Sequence, residues 1–324
     1  MTSHAGDGSP SVLVTGGAGF IGSHLAERLL DDGRRVVVLD NFDEFYDPSI
    51  KRRNVAAALE RPGYRLVEGD IRDGEALDSL LGSERFDTVV HLAARAGVRP
   101  SIEDPLLCAS VNLDGTTRLL EACRRHDIER FIFGSSSSVY GNNPRVPFSE
   151  EHPVDHPISP YAATKKSGEV LCHVYHHLYG MHVACLRFFT VYGPRQRPEM
   201  AIHKFARALT QGREIQQYGD GSSARDYTYV SDIVDGIVRA IERVSGYAIW
   251  NLGGSRTVTL SELVSRMARR LGVPARIRQL ENQPGDVDRT WADISRARRE
   301  LDWSPGIDIW RGLDLFLEWF ERGR

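Results

Sequence analysis

The chain has 324 residues, of which 41% are hydrophobic and 26% are charged, and its formal net charge is -3. This composition is typical of a soluble protein with a substantial core. The slight negative charge offers no general attraction to polyanions, and no apolar run reaches the ~18 residues of a membrane-spanning helix. We therefore expect neither nucleic acid nor a membrane to be a partner.

The four cysteines are Cys108, Cys123, Cys172 and Cys185, and no two of them form a C-x-x-C pair. Such spacing is typical of free, buried thiols in a reducing compartment, which predicts a cytoplasmic protein. The first ten residues, MTSHAGDGSP, have neither the basic start nor the apolar run of a signal peptide. We expect residues 1–10 to form a disordered tail.

In the first half of the chain, short apolar runs alternate with longer amphipathic stretches. The apolar runs predict buried strands at 11–15, 35–39, 64–68, 87–91, 130–134 and 182–187. The amphipathic stretches predict helices at 19–32, 105–126 and 159–179. This alternation predicts repeated βαβ units and an α/β fold with a doubly wound parallel sheet, that is, a Rossmann fold.

After residue 188 the pattern becomes less regular, with loops rich in Gly, Pro and Arg. Helices are predicted at 201–211, 231–244, 260–271 and 310–322. We expect residues 11–187, with 226–250 returning to them, to form a dinucleotide-binding domain. Residues 188–225 and 251–324 should then form a smaller C-terminal α/β subdomain that binds the substrate.

A glycine-rich turn joins the first predicted strand to the first helix. Gly16, Gly19 and Gly22 lie at G-x-x-G-x-x-G spacing in TGGAGFIG. Glycine allows a tight turn and a close approach of a pyrophosphate to the backbone, and the helix N-terminus supplies N–H groups and a favourable dipole. Glycines alone would also suit an ordinary strand–helix connection.

An acid at the end of the second strand sharpens the prediction. Asp40 lies about 20 residues beyond the glycine turn, where a carboxylate accepts hydrogen bonds from the adenosine ribose and repels a 2′-phosphate. NAD is therefore favoured over NADP. Asp70 and Ile71 follow the third strand and could meet the adenine, although Asp70 could instead cap the next helix.

A tyrosine and a lysine four residues apart indicate hydride-transfer chemistry. Tyr161 and Lys165 occur in YAATK and share one face of a predicted helix. A nearby ammonium and a positive nicotinamide would lower the pKa of Tyr161, which could then accept a hydroxyl proton. An exposed i,i+4 pair is the simpler interpretation of the same spacing.

The serine run SSSSVYG begins at the end of the fifth strand, where a doubly wound sheet presents residues to its ligand. One of these hydroxyls should bond the reacting oxygen, although serine runs are also common in solvated turns. Taken together, the positions expected to contact the cofactor are Gly16, Gly19, Phe20, Ile21, Gly22, Asp40, Asn41, Asp70, Ile71, Leu92, Ala93, Ala94, Asn112, Tyr161 and Lys165.

TGGAGFIG, Asp40, SSSSVYG and YAATK together resemble the extended short-chain dehydrogenase/reductase family, and in particular its nucleotide-sugar epimerases and dehydratases. Four further segments are similar to those of UDP-glucuronate 4-epimerases: DNFDEFYDPSIKRRN, LRFFTVYGPRQRPEM, ARDYTYV and QPGDV. The resemblance covers nearly the whole chain. It implies an NAD-dependent enzyme that acts on a UDP-sugar, and a homodimer that pairs helices near 105–126 and 159–179.

The resemblance also implies roles for individual residues. Tyr161 is the base, Lys165 holds the nicotinamide ribose, and Ser136 assists Tyr161. The residues implied in substrate binding are Ser136, Ser137, Ser138 and Tyr161 near the sugar, Thr190 and Arg197 at its C6 group, Arg225 and Asp286 at the UDP moiety, and Arg99 as a further contact.

The C6 pair suits a carboxylate, because an arginine can pair with it and a threonine can donate a hydrogen bond. Arg197 could otherwise cover the surface or bind phosphate. Dehydratases and decarboxylases of the family usually place an acid directly after the residue matching Ser136, whereas Ser137 follows here. The sequence therefore favours epimerisation of UDP-glucuronate to UDP-galacturonate.

Other activities stay open at this point: epimerisation of UDP-glucose or another nucleotide sugar, decarboxylation of UDP-glucuronate, and non-catalytic NAD(H) binding by a regulator. We expect no metal site. His173 and His177 have the spacing of metal ligands, but neither an acidic third ligand nor an H-E-x-x-H motif accompanies them.

Overall fold

The computed structural model describes residues 10–281 and 287–323. The tail predicted at residues 1–10 lies outside the described residues except for Pro10, as does Asp286. None of the helices in the described part of the chain combines the length and the apolar character that a bilayer crossing requires.

The strands are β1 (Ser11–Thr15), β2 (Arg35–Asp40), β3 (Tyr64–Glu68), β4 (Thr88–His91), β5 (Arg130–Ser136), β6 (His182–Phe188), β7 (Thr190–Tyr192), β8 (Ile215–Tyr218), β9 (Ala224–Tyr229), β10 (Tyr247–Leu252), β11 (Thr257–Thr259) and β12 (Ile277–Leu280). The helices are α1 (Phe20–Asp31), α2 (Pro48–Leu59), α3 (Gly74–Ser83), α4 (Val98–Glu103), α5 (Pro105–Ala109), α6 (Thr116–Arg125), α7 (Pro160–Tyr179), α8 (Ala201–Thr210), α9 (Val230–Arg243), α10 (Leu260–Leu271), α11 (Ser295–Leu301) and α12 (Ile309–Arg322).

The central sheet has seven strands in the order β10-β6-β5-β4-β1-β2-β3, all of them parallel. The predicted doubly wound α/β fold is confirmed. The strand order reverses between β1 and β4, so the connections on either side diverge and open a crevice at the carboxyl ends of these strands. Ligands of such sheets bind at this point.

Both faces of the sheet are covered, which explains why its strands are apolar on both sides. In β1, Val12 and Val14 belong to the core beneath α1 and α9, whereas Leu13 belongs to the core beneath α3, α6 and α7. Strand β10 pairs with β6 in this sheet. The remaining strands form two smaller sheets, β11-β9-β7 and β12-β8. The division into two domains stays a prediction.

The single helix predicted over 105–126 is interrupted. Helices α5 and α6 are joined by a π-helical segment, Ser110–Gly115. Such segments often occur at functional sites because they turn one side chain out of the regular register. Here Gly115 faces Ile71, whose Cδ1 would lie 2.7 Å from an added Cβ, and Asn112 is buried.

Candidate active site

A cavity of about 370 Å³ lies at the carboxyl ends of the central strands, around the point where the strand order reverses. This volume is in the range of small-molecule sites. Of the predicted site residues, the following line this cavity: Gly16, Gly19, Phe20, Ile21, Gly22, Asp40, Asn41, Asp70, Ile71, Leu92, Ala93, Ala94, Ser136, Ser137, Ser138, Tyr161, Lys165, Thr190 and Arg197. The fold thus gathers residues that follow β1 to β6 in one place.

The glycine turn between β1 and α1 has no room for side chains. Gly16 has a φ of +71°, and a Cβ there would lie 2.7 Å from the amide nitrogen of Ala93. A Cβ at Gly22 would lie 2.4 Å from the carbonyl oxygen of Gly16. No side chain caps α1 at Gly19 in the described structure. The first-turn N–H groups therefore have no side-chain acceptor, as an anion site requires.

Asp40 is buried at the end of β2 and already accepts three hydrogen bonds. Its donors are the Ala18 amide at 3.1 Å, the Phe42 amide at 2.9 Å and the Lys51 ammonium at 3.1 Å. A carboxylate has about four acceptor sites. Asp40 can therefore accept one further hydrogen bond, for example from a ribose hydroxyl. A phosphate oxygen would be repelled, because it is itself a negatively charged acceptor.

Asp70 does not cap the helix that follows β3. The cap of α3 is Asp73, whose side chain accepts from the Ala76 amide at 3.0 Å. Asp70 instead accepts hydrogen bonds from Arg72 and, at 3.0 Å, from the Asn41 amide group. The Arg72 guanidinium is the main reason that the pKa of Asp70 falls to about 2. Asp70 and Asn41 together form one polar rim of the cavity.

Asn112, a predicted cofactor contact, is not among the described residues that line the cavity, and its contact with the cofactor stays a prediction. It lies behind the cavity wall, where its side chain binds the backbone N–H of Arg95 at 2.8 Å and the carbonyl of Arg95 at 3.1 Å. It also donates to Thr164 on α7 at 3.0 Å. The π-helical segment aims Asn112 at this loop, so its observed function is to support the loop after β4.

Tyr161 lies in the first turn of α7, and the local sequence explains why the helix begins there. Ser159 caps it by accepting from the Ala162 amide at 3.1 Å, and Pro160 suits the first helical position. The Tyr161 amide itself donates to the Ser101 hydroxyl at 3.0 Å. The Ser136 hydroxyl, at the end of β5, lies close enough to the Tyr161 phenol to oppose the rise in its pKa.

Lys165 lies one turn further along α7 and is 5% exposed. Its ammonium donates to the carbonyl of Gly134 at 2.6 Å and lies over the Phe133 ring, 5.0 Å from the ring centre. Burial lowers the pKa of Lys165 to about 8. Lysine is rare in this chain, and two of its four lysines, Lys51 and Lys165, are buried at this cavity.

The pKa of Tyr161 differs from the sequence-based expectation. Burial is the largest influence and raises this pKa, while the Ser136 hydrogen bond and the positive charge of Arg197 oppose it. The Lys165 ammonium is directed to the Gly134 carbonyl and lies 6.0 Å from the centre of the Tyr161 ring. In the protein alone, therefore, the phenol stays protonated at neutral pH, ready to hydrogen bond a sugar oxygen.

Arg197 enters the cavity from the segment after β7. Its guanidinium lies 5.7 Å from the centre of the Phe45 ring, and its Nε lies 3.0 Å from a carboxylate oxygen of Glu199. Thr190, at the start of β7, lines the same cavity. Thr190 and Arg197, the two residues predicted to meet the sugar C6 group, therefore both line the first cavity from the part of the chain that begins at β7.

A second cavity of about 410 Å³ contains Arg225, a predicted contact to UDP, and Arg99, predicted as a further substrate contact. The Arg99 guanidinium lies over the Tyr218 ring at 4.3 Å from its centre, and Arg225 donates to the Ala224 carbonyl at 3.1 Å. Lys204 adds a third cation to the lining. Asp286, which like Arg225 is predicted to contact the UDP moiety, lies outside the described residues.

The two cavities share a wall. Arg197 lines the first cavity, Glu199 lines the second, and the two side chains form an ion pair across the wall. A long ligand with a neutral or anionic group in the first cavity and an anionic group in the second would therefore run along the wall formed by Arg197 and Glu199.

Sequence reasoning missed the residues that close the mouth of the first cavity. Arg95 lies 4.3 Å from the centre of the Phe45 ring and pairs with Asp43 at 2.9 Å, so the loop after β2 is tied to the loop after β4. The quoted segment from Asp40 to Asn54 contains these residues, but only the fold brings Arg95 to them.

Metal binding has no support in the described part of the chain. No group of three or more His, Cys, Asp or Glu side chains there could hold a metal ion. The rings of His173 and His177 stack in parallel 6.4 Å apart, and Tyr247 packs edge-on against His173. The observed contacts of this histidine pair are aromatic packing.

Comparisons with known proteins agree with this geometry. A family model described as GDP-mannose 4,6 dehydratase matches residues 13–315. The chain belongs to this family of extended short-chain dehydrogenases/reductases. The resemblance expected from the motifs is confirmed.

Similar proteins include UDP-glucuronate 4-epimerase 4 of Arabidopsis thaliana, which is 44% identical over 96% of this chain and 75% of that protein. UDP-glucuronate 4-epimerase of Thermodesulfobacterium geofontis is 40% identical over 95% of both chains. A solved structure of UDP-glucuronic acid 4-epimerase from Bacillus cereus, in complex with UDP-glucuronic acid and NAD, superposes with a TM-score of 0.92 at 36% identity, over 97% of this chain and 100% of that one.

For this family member we predict that Gly22→Ala weakens NAD binding at least tenfold, because the new Cβ would meet the backbone of Gly16 and Gly17 at 2.4–2.6 Å and distort the turn. Calorimetric titration with NAD measures the effect. Gly74→Ala is the matched control, since among the described residues its Cβ would meet only the Arg118 side chain within 4 Å, at 3.5 Å. Equal NAD affinity of wild type and Gly22→Ala would contradict the assigned turn.

Proposed function

We propose that the chain catalyses the NAD-dependent C4 epimerisation of UDP-glucuronate to UDP-galacturonate through a transient 4-keto sugar. One observation carries the proposal. The Tyr161 phenol, the Ser136 hydroxyl and the Arg197 guanidinium share one cavity, and the last two both act on the pKa of the first. A base for O4 and a cation for the C6 carboxylate are thus within reach of one sugar ring.

The residues present fit NAD. The turn at Gly16 and Gly22 leaves space that a Cβ would fill, and Asp40 has one acceptor site left for a ribose hydroxyl. When bound, NAD supplies the acceptor and donor of hydride. Lys165 is the residue to hold the nicotinamide ribose. This assignment makes NAD the cofactor, as the sequence predicts.

Tyr161 removes the proton from the C4 hydroxyl and later returns one. The phenol starts with a raised pKa because it is buried. The positive charge of the nicotinamide and a protonated Lys165 favour the phenolate when the ternary complex forms. Ser136 donates a hydrogen bond to the sugar oxygen and so stabilises the charge that develops as the carbonyl forms.

Arg197 and Thr190 hold the substrate carboxylate. Oxidation at C4 converts glucuronate into a β-keto acid. This acid loses CO2 when the bond between C5 and the C6 carboxylate aligns with the π system of the C4 carbonyl. A fixed guanidinium and hydroxyl hold the carboxylate in another plane. Arg99 and Arg225 bind the UDP moiety in the second cavity, so the sugar can turn about its diphosphate link and present its other face.

The position of the acids favours epimerisation over elimination. Among the described residues, the acids that line the first cavity are Asp40, Asp43 and Asp70, which follow β2 and β3. Tyr161 and Ser136 lie at the other side of the strand-order reversal, on α7 and β5. Ser137, not an acid, follows Ser136. The described lining beside Tyr161 and Ser136 therefore contains no acidic side chain that could protonate a leaving group.

We also propose a homodimer. Val170, Val174 and Leu178 form a stripe along α7, and they are 50%, 40% and 60% exposed. Leu106 on the neighbouring α5 is 82% exposed. Two copies that bury these helices against each other would remove this apolar surface from water and form a four-helix interface.

The four cysteines Cys108, Cys123, Cys172 and Cys185 are free and buried. We propose a cytoplasmic location, which free thiols of this kind support.

Tyr161→Phe is expected to lower kcat by at least about 10³-fold while the protein keeps its NAD, because only the proton-transferring hydroxyl is lost. Product chromatography and the NAD content of the purified protein measure both quantities. Tyr175→Phe on the same helix, whose hydroxyl bonds only Glu121 among the described residues, should keep wild-type activity. A Tyr161→Phe variant with near-normal turnover would remove the base from this account.

Arg197→Met should lower kcat/KM for UDP-glucuronate about 100-fold more than for UDP-glucose, because only UDP-glucuronate loses a charge-assisted pair with its carboxylate. We also expect release of CO2 from UDP-glucuronate to appear. Paired assays with the two substrates and trapping of CO2 measure these outcomes, and Arg207→Met on α8 is the control. Equal losses for both substrates would contradict the role at C6.

Val174→Asp should convert the dimer to a monomer, because the charge would be buried at the centre of the α7 stripe. Light scattering after gel filtration gives the mass of each species. Leu59→Asp introduces the same charge at a side chain that is 50% exposed on α2, and it should leave the dimer intact. A monomeric wild type, or a dimeric Val174→Asp protein, would contradict the proposed interface.

A further inference from the structure

A fully buried ion pair joins α7 to the central sheet. Arg187 on β6 donates from Nε to Glu169 Oε1 at 2.8 Å and from Nη2 to Glu169 Oε2 at 2.9 Å. Each side chain is 1% exposed. A bidentate pair of this kind has one geometry, and any sliding of α7 along β6 would separate two buried charges. The pair therefore fixes the helix relative to the strand.

The elements joined by this pair are those that carry the proposed catalytic groups. Glu169 lies on the same face of α7 as Tyr161 and Lys165, at steps of four residues. On the other side, Glu169 Oε1 accepts a hydrogen bond from the Ser135 hydroxyl at 2.7 Å. Ser135 directly precedes Ser136 at the end of β5. One carboxylate thus contacts both the helix of the base and the strand of its hydroxyl partner.

The same arginine holds the other end of the serine turn. Arg187 Nη1 donates to the Tyr140 hydroxyl at 2.9 Å, and that hydroxyl donates to Asn251 on β10 at 2.7 Å. Tyr140 ends the short 3-10 turn that begins at Ser137. The segment containing Ser136 and Ser138 is therefore held at both ends by one ion pair.

We propose that Glu169 and Arg187 are positioning residues, which hold the Ser136 hydroxyl beside the Tyr161 phenol in the cavity. Neither side chain lines the cavity. A catalytic constellation needs a tolerance of about 0.5 Å, and a misplacement of about 1 Å can lower a rate 100-fold. The inference rests on the proposed function in one respect: epimerisation of UDP-glucuronate is the reaction whose kcat is measured.

A purely structural role would have a different consequence. Removal of one partner leaves a buried charge and destabilises the fold, whereas replacement of both partners by apolar residues of similar size is often neutral or stabilising. Glu169→Leu with Arg187→Met therefore removes the ion pair but keeps the core packed. If the pair served stability alone, this double variant would keep its activity.

The experiment compares wild type, the Glu169→Leu/Arg187→Met double variant, and Glu84→Gln as a control. Glu84 pairs with Arg35 and Arg65 at the opposite edge of the sheet. We expect the double variant to unfold at the wild-type temperature and to retain NAD, with kcat about 100-fold lower and the KM for UDP-glucuronate within about twofold of wild type. Amide hydrogen exchange at residues 134–138 should be faster, and the control should behave as wild type.

Arg187→Lys tests the same idea should the double variant fail to fold. A lysine keeps the charge but cannot form the bidentate pair and reach Tyr140 as well, so kcat should fall about tenfold. Wild-type kcat and unchanged exchange at residues 134–138 in the folded variants would overturn the proposal. If wild type itself makes no UDP-galacturonate, the proposed function fails, while the exchange measurement still decides whether the pair holds the serine turn.

Discussion

Desolvation of the Tyr161 phenol and the Lys165 ammonium where α7 meets β5 is the constraint on which the chemistry of this protein depends. Burial raises the pKa of the phenol and lowers the pKa of the ammonium to about 8, so both groups are driven toward their neutral forms. The base can only act when other charges and hydrogen bonds oppose that effect. Ser136 and Arg197 do so in the protein alone, and a positively charged nicotinamide adds to them when the cofactor binds.

Such a site needs its polar groups fixed by buried partners. The fold provides them with buried ion pairs at two places: Lys51 with Asp40 in the cavity lining, and Arg187 with Glu169 behind the serine turn. Buried pairs add little to stability but permit few alternative arrangements. This suits an enzyme that must return hydride to the same carbon without allowing the keto intermediate to react otherwise.

Much of the fold could be predicted because it depends on local signals. Strands β1 and β3 begin and end at the predicted residues, since proline or glycine flanks each of them at both ends. The glycine turn, Asp40, Tyr161 and Lys165 line one cavity, because a doubly wound sheet gathers strand ends at one point. Helices α2 and α3 were missed, although Asp47 and Asp73 are ordinary N-caps. The partners of Glu169 and Asn112, by contrast, are set by tertiary packing that no residue spacing reveals.

The most direct test of the account is to incubate the purified protein with UDP-glucuronate, with no cofactor added, and to identify the products by chromatography and mass spectrometry. The account predicts UDP-galacturonate, no net oxidation, and NAD released from the protein on denaturation. Protein that contains no NAD, does not bind it when it is offered, and leaves UDP-glucuronate unchanged would contradict it.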